Sequence, residues 1–285
     1  MMLRGKEATL AAIITIIMEE EPETQDDIAE KLNVSRRYVA KLLKPLVDEG
    51  AIRHPYVVNL EKLKNFEEYL ETDKFFKEIS DTFDKMGTNV IYNAEKVFEA
   101  LKKQDIDSAK NVILEDYALN RMEDEVNIVL RMNASKHLDM DSLMQVSNIA
   151  ANIERCGDYL SNIAEEVVNG LLVEPLIYLE IFELHEIIVK MFNYAMDMVK
   201  HQKINTEIYE LELKLHEKLD IILEKLKSER VKKSENINQF IQFGMFLKDV
   251  ERFGDRCLKI FELGREFHHK IPQNKKIPES FRNIK

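Results

Sequence analysis

Tryptophan is absent from this 285-residue chain, and glycine, proline and cysteine are scarce, at eight, six and two residues. So little turn chemistry excludes an all-β fold built on many tight hairpins. Two cysteines, Cys156 and Cys257, make no disulfide framework and point to no oxidising compartment. They read as small buried apolar residues. Positive charge is also in deficit: 41 Lys and Arg against 52 Asp and Glu give a formal net charge of −11. Global basicity is thereby excluded as a route to nucleic acid, and any DNA contact must come from a local basic face. Long apolar runs are missing too. Residues 9–20, "TLAAIITIIMEE", come nearest to a signal peptide, but the run is too short to span a bilayer and acids flank it. It reads as a buried helix of a cytoplasmic protein with no membrane insertion.

What remains is 45% hydrophobic, enough for a sizeable core, and is dominated by long stretches of Leu, Ile, Lys and Glu. The fold class expected is mainly α, and the length allows one large or two to three ordinary domains.

In the first sixty residues an apolar helix ends at "EEEPE" and is followed by "TQDDIAEKLNVSRRYVAKLLKPLVDEGAI". Thr24 fits the N-cap of a short second helix, with Asp26 and Asp27 in its first turn facing the positive helix end. Asn33-Val34 makes a tight connection and Ser35 caps a third helix. Val39, Leu42, Leu43, Leu46 and Val47 form the core side of that helix at i, i+3, i+4, i+7 and i+8. Its other side carries Arg36, Arg37, Tyr38, Lys41 and Lys44, which together with Ser35 suit phosphate and major-groove contacts. Pro45 removes a helix hydrogen bond and predicts a kink beyond the base-reading end. Two short strands around His54-Pro55 have the size of a wing. The whole resembles a winged helix-turn-helix over residues 1–60. Acids slightly outnumber bases across those residues, which leaves open a protein-docking role in place of DNA.

After a helical linker at 61–71, the chain reads as two units of three helices, 72–170 and 174–270, followed by a tail at 271–285. Helices are expected at 73–103, 105–134 and 139–168, a stop at Asn169-Gly170, then 174–201, 205–230 and 236–269. Short connections make the neighbours antiparallel, so each unit should be a three-helix bundle. The third helices carry a repeated hexad, "IERCGD" and "VERFGD", offset by 251 − 154 = 97 residues. At the same offset Ile149/Phe246, Ile153/Val250, Leu160/Cys257 and Ile163/Ile260 are all apolar and form matching seams.

The seams do not explain the hexad. Glu154 with Asp158, and Glu251 with Asp255, stand one helical turn apart on a single face, where like charges repel by a few tenths of a kcal/mol. A cation reverses that sign, and oxygen donors suit hard ions. Gly157 and Gly254 leave room for a close neighbour. A single such pair is ordinary surface decoration; duplication with the Arg and Gly makes a ligand face the better reading. The histidines, including His185, His201, His268 and His269, share no metal spacing, and no catalytic triad or glycine-rich phosphate loop stands out.

"NIERCGDYLSNIAEEV" and "DVERFGDRCLKIFELG" resemble the third-helix motif of PhoU, the phosphate-uptake regulator family, whose fold is two three-helix bundles in tandem. The resemblance covers about residues 72–270. It implies metal ions or multinuclear clusters, of iron, zinc or another divalent metal, held by paired E(D)xxxD motifs. Glu154, Asp158, Glu251 and Asp255 are the third-helix members. On the second helices the counterparts are Asp116 with Asn120, where Asn replaces an acid, and Glu212 with His216, with Glu210 as the other possible alignment.

Together these features predict a non-enzymatic, phosphate-responsive transcription regulator, dimeric so as to read two half-sites, with DNA, phosphate transport components and metal-borne phosphate as partners. Two rivals stand beside it. One is an adaptor that restrains a transporter or kinase by protein contacts; the other is a regulator for which the metal is the signal.

Overall fold

The computed structural model describes residues 6–20, 22, 24–53, 57–58, 67–133, 138–230 and 237–270. The wing tip at 54–56, the linker up to residue 66 and the tail at 271–285 lie outside the described residues. The chain divides into two compact units, with the break between Ser80 and Asp81.

The first unit contains α1 (Lys6–Glu20), α2 (Gln25–Lys31), α3 (Arg36–Asp48) and an antiparallel pair, β1 (Ile52–Arg53) with β2 (Val57–Val58). Its local chemistry follows the sequence. Thr24 and Asp27 close a capping box on α2, each side chain accepting the other's backbone N–H. The Ser35 hydroxyl accepts the Tyr38 N–H at 3.2 Å to start α3. Asn33 turns the chain between α2 and α3 at φ 51°, and Gly50 leaves α3 at φ 68°. Leu10, Ile13, Ile14 and Ile17 of α1 pack with Ile28, Val39, Leu42, Leu43, Leu46 and Ile52 in one core. Burial of each such side chain contributes about 1.5–3 kcal/mol before chain entropy is counted. Val47 departs from the expected core stripe: it is 48% exposed. Pro45 takes up buried space near the end of the helix, which continues to Asp48.

The second unit is helical. Its helices are α4 (Glu67–Lys103), whose first turns precede the break, then α5 (Ile106–Asn133), α6 (Met140–Val168), α7 (Tyr178–His201), α8 (Glu207–Arg230) and α9 (Ile237–Lys270). Helix α4 starts six residues before the expected 73, so part of the supposed linker is its first turns. A 3₁₀ turn, Pro175–Ile177, precedes α7, because Pro175 opens a turn that α7 does not absorb. Asp139 caps α6 through the Ser142 N–H, and Gly170, at φ 87°, ends it.

Helix α6 packs on α5, α9 packs on α7 and α8, and α6 and α9 pack on each other. The last pair runs antiparallel and closes the repeat on itself. Gln145 donates to Glu266 at 3.3 Å, and Gln242 donates to the Asn169 carbonyl at 3.2 Å. These contacts are equivalents under the repeat, since 242 − 145 = 97 and 266 − 169 = 97. All eight expected seam residues are buried at 1% exposure or less. Helix α4 joins through Phe98, which stacks on His185 of α7 and meets Phe246 of α9 edge-on. Cys156 and Cys257 are free, fully buried and in contact across the seam, although the offset of 97 does not relate them.

Candidate functional site

The hexads sit on α6 and α9 with their apolar members in the seam and their carboxylates turned toward the second helix of the same bundle. Gly157 makes this possible. A Cβ there would overlap the Leu119 side chain of α5 and stand 3.6 Å from Asp116 Oδ1. Gly254 does the same for α8, where Leu215 fills the equivalent space. Leu119 and Leu215 therefore fix the register between the bundles at 215 − 119 = 96. Under that register Asp116 corresponds to Glu212, and Asn120 to His216.

In the first bundle Asp116, Glu154 and Asp158 come together, all partly buried. Burial, then Asp158, Glu123 and Asp116 in turn, push the Glu154 carboxyl up to about 7. In its protonated form it donates a hydrogen bond to Asp158. Asp158 is itself raised by burial, offset in part by that hydrogen bond and by Arg155. Asp116 is raised by burial and then by the Asp158 charge. The Asn120 amide donates to Asp116 Oδ2 at 3.3 Å, while Asp116 Oδ1 is buried with no hydrogen-bond partner. A buried carboxylate oxygen without a donor, among three further acids, fits a hard cation. Asp116, Glu154 and Asp158, with Glu123 adjacent, would hold it after side-chain rotation, since their ligand atoms are less closely gathered than those of the second bundle. Glu123 is absent from the E(D)xxxD spacing; its place seven residues after Asp116, on the same face of α5, is the signal that marks it.

In the second bundle Glu212, His216 and Asp255 each offer a ligand atom, and these atoms lie within 4.8 Å of one another. The structure thus brings Glu212 into the group, whereas Glu210 is exposed. Glu251 is diverted: Lys248 holds it at 2.6 Å, and His216 Nδ1 is 4.0 Å away. His185 and His268 have packing roles. The first stacks on Phe98, and the second bonds to Gln202 and the Val199 carbonyl.

On α3, Arg37 and Lys44 are exposed and Lys41 is partly so. Arg36 makes an exposed ion pair with Asp26 at 3.4 Å. Tyr38 packs its ring against the core, and Ser35 spends its hydroxyl oxygen on the cap.

Comparison with known proteins adds the lineage. A family model for the PhoU domain matches residues 83–167, and one for a winged helix-turn-helix DNA-binding domain matches residues 7–53. The chain is 51% identical over 280 residues to the uncharacterized protein MJ1641 of Methanocaldococcus jannaschii, covering 98% of this chain and 96% of that one. The chain is a PhoU-like protein with an N-terminal winged helix-turn-helix, of one family with MJ1641. It is also 27% identical to the phosphate-specific transport system accessory protein PhoU of Escherichia coli, over 65% of this chain and 82% of that protein. The PhoU crystal structure from Pseudomonas aeruginosa superposes with a TM-score of 0.63 at 19% identity, covering 69% of this chain and 98% of that one. That from Streptococcus pneumoniae gives 0.57 at 20% identity, covering 67% and 94%. These two show the shared fold. Both matching families are regulatory rather than catalytic. Among the described residues no helix is long and apolar enough to cross a membrane.

Proposed function

We propose that this PhoU-like protein is a phosphate-responsive transcription regulator, its helical unit sensing and its winged helix reading DNA. The observation that carries the reading is the pairing, in one chain, of an exposed basic α3 face with carboxylates gathered at equivalent places in two bundles. A bound cation supplies positive charge and open positions for phosphate oxygens, which the acids alone would repel. Asp116, Glu154 and Asp158 would hold that cation at the first face. The Leu119 and Leu215 contacts keep each pair of helices close enough for both to contribute. On DNA, two copies of the chain present two recognition helices to two half-sites, which one helix alone reads too weakly. The likeness to PhoU of Escherichia coli makes phosphate transport components a further partner class. His216 favours a second reading, in which the metal is itself the signal.

Elemental analysis of the purified protein beside Glu154→Ala/Asp158→Ala and Glu251→Ala/Asp255→Ala variants tests the sensing half. Metal content is expected to fall in each variant. Equal content in all three removes the metal site.

A further inference from the structure

The two equivalent faces offer different donors. Where α5 presents Asn120, α8 presents His216, since 216 − 120 = 96, the same register as Leu215 and Leu119. We propose that His216 makes the second bundle's site selective for a borderline transition-metal ion such as Zn²⁺, while the first bundle's all-oxygen face takes a hard ion such as Mn²⁺. The inference rests on the reading of both faces as metal sites.

The surroundings of each face support the division. Imidazole nitrogen suits zinc and its neighbours, whereas carboxylate and carbonyl oxygens suit magnesium, calcium and manganese. Glu212, His216 and Asp255 make three protein ligands, the number that leaves one position of a tetrahedral zinc open. Lys248 neutralises Glu251, so two formal negative charges remain to match a divalent ion. At the position equivalent to Lys248 the first bundle has Ala151, because 248 − 97 = 151. An alanine there cannot offset Glu154, and Asn120 turns its amide N–H toward Asp116. That face therefore keeps a fuller set of oxygen donors and no nitrogen ligand, as hard ions with six or more oxygens require. Drawing ligand atoms now within 4.8 Å to the roughly 3.4 Å separations of a tetrahedral zinc needs only small rotations of partly exposed side chains.

The test is calorimetric titration of the full-length, untagged protein with Zn²⁺ and, separately, Mn²⁺, on wild type, His216→Asn and Asn120→His. Thermal melts confirm folding, which the 45% exposure of the His216 side chain favours. His216→Asn is expected to weaken Zn²⁺ binding by about tenfold or more and leave Mn²⁺ within about twofold. Asn120→His is expected to add a second tight Zn²⁺ site. Unchanged Zn²⁺ affinity in His216→Asn overturns the inference while the metal reading stands. Failure of the wild-type chain to bind either ion overturns both.

Discussion

Leu119 occupies the space that a side chain on Gly157 would need. The contact lets α5 and α6 approach until Asp116 faces Asp158, so the repeated glycine belongs to the site's construction as much as the acids do. Gly157→Ala should destabilise the protein by about 1–3 kcal/mol, because Leu119 is fully buried and cannot swing into solvent. Gly254→Ala should act alike through Leu215. Chemical denaturation measures both, and a change within experimental error would show that the helices are not held by this contact.

Glu154 carries a pH dependence whose sign follows from the direction of its shift. Its folded pKa, about 7, lies above the ordinary 4.5, so between those values the folded state binds the extra proton. Stability from this group is therefore full below pH 4.5 and lost as pH rises through 7. With the side chain only partly buried, the loss should be of order 1 kcal/mol. Glu154→Gln should flatten the melting-temperature profile between pH 5 and 8 in metal-free buffer. A wild-type profile that rises across that window contradicts the assignment.

Ser35 starts the helix whose exposed basic side is proposed above to meet DNA. Ser35→Ala removes the acceptor for the Tyr38 N–H and should lower the stability of the winged-helix unit by about 0.5–2 kcal/mol. Hydrogen exchange at the α3 amides would register it. Protection equal to wild type would mean that the cap is not needed.

Arg37 and Lys44 should carry the phosphate contacts, being exposed and basic on one side of α3. Replacing either with Glu should weaken DNA binding across sequences. The slope of log affinity against log salt should become shallower by about 0.9 for each phosphate that is no longer neutralised. If neither the affinity nor the slope moves, α3 is a docking surface for protein.

Much of this was legible in the sequence because it is local or periodic. Thr24 and Ser35 are caps recognisable from their neighbours, and the buried seams repeat at a fixed offset. Other features depend on tertiary contacts that no single segment encodes. Val47 has core spacing, yet the helix ends one residue later and nothing covers it from the described core. Cys156 and Cys257 are not equivalent in the repeat, but antiparallel packing of α6 on α9 makes them neighbours. The choice of Glu212 over Glu210 needed the Leu215–Gly254 contact to set the register. Glu251 matches Glu154 in sequence, but the structure pairs it with Lys248, one turn before it, beside His216.

The central claim couples the acidic faces to the winged helix. Its most direct test is fluorescence anisotropy of operator DNA with the full-length protein, varying divalent metal and phosphate independently. The account predicts that phosphate changes DNA affinity only when metal is present, and that Glu154→Ala/Asp158→Ala abolishes the change. DNA affinity that ignores phosphate at every metal concentration would contradict it.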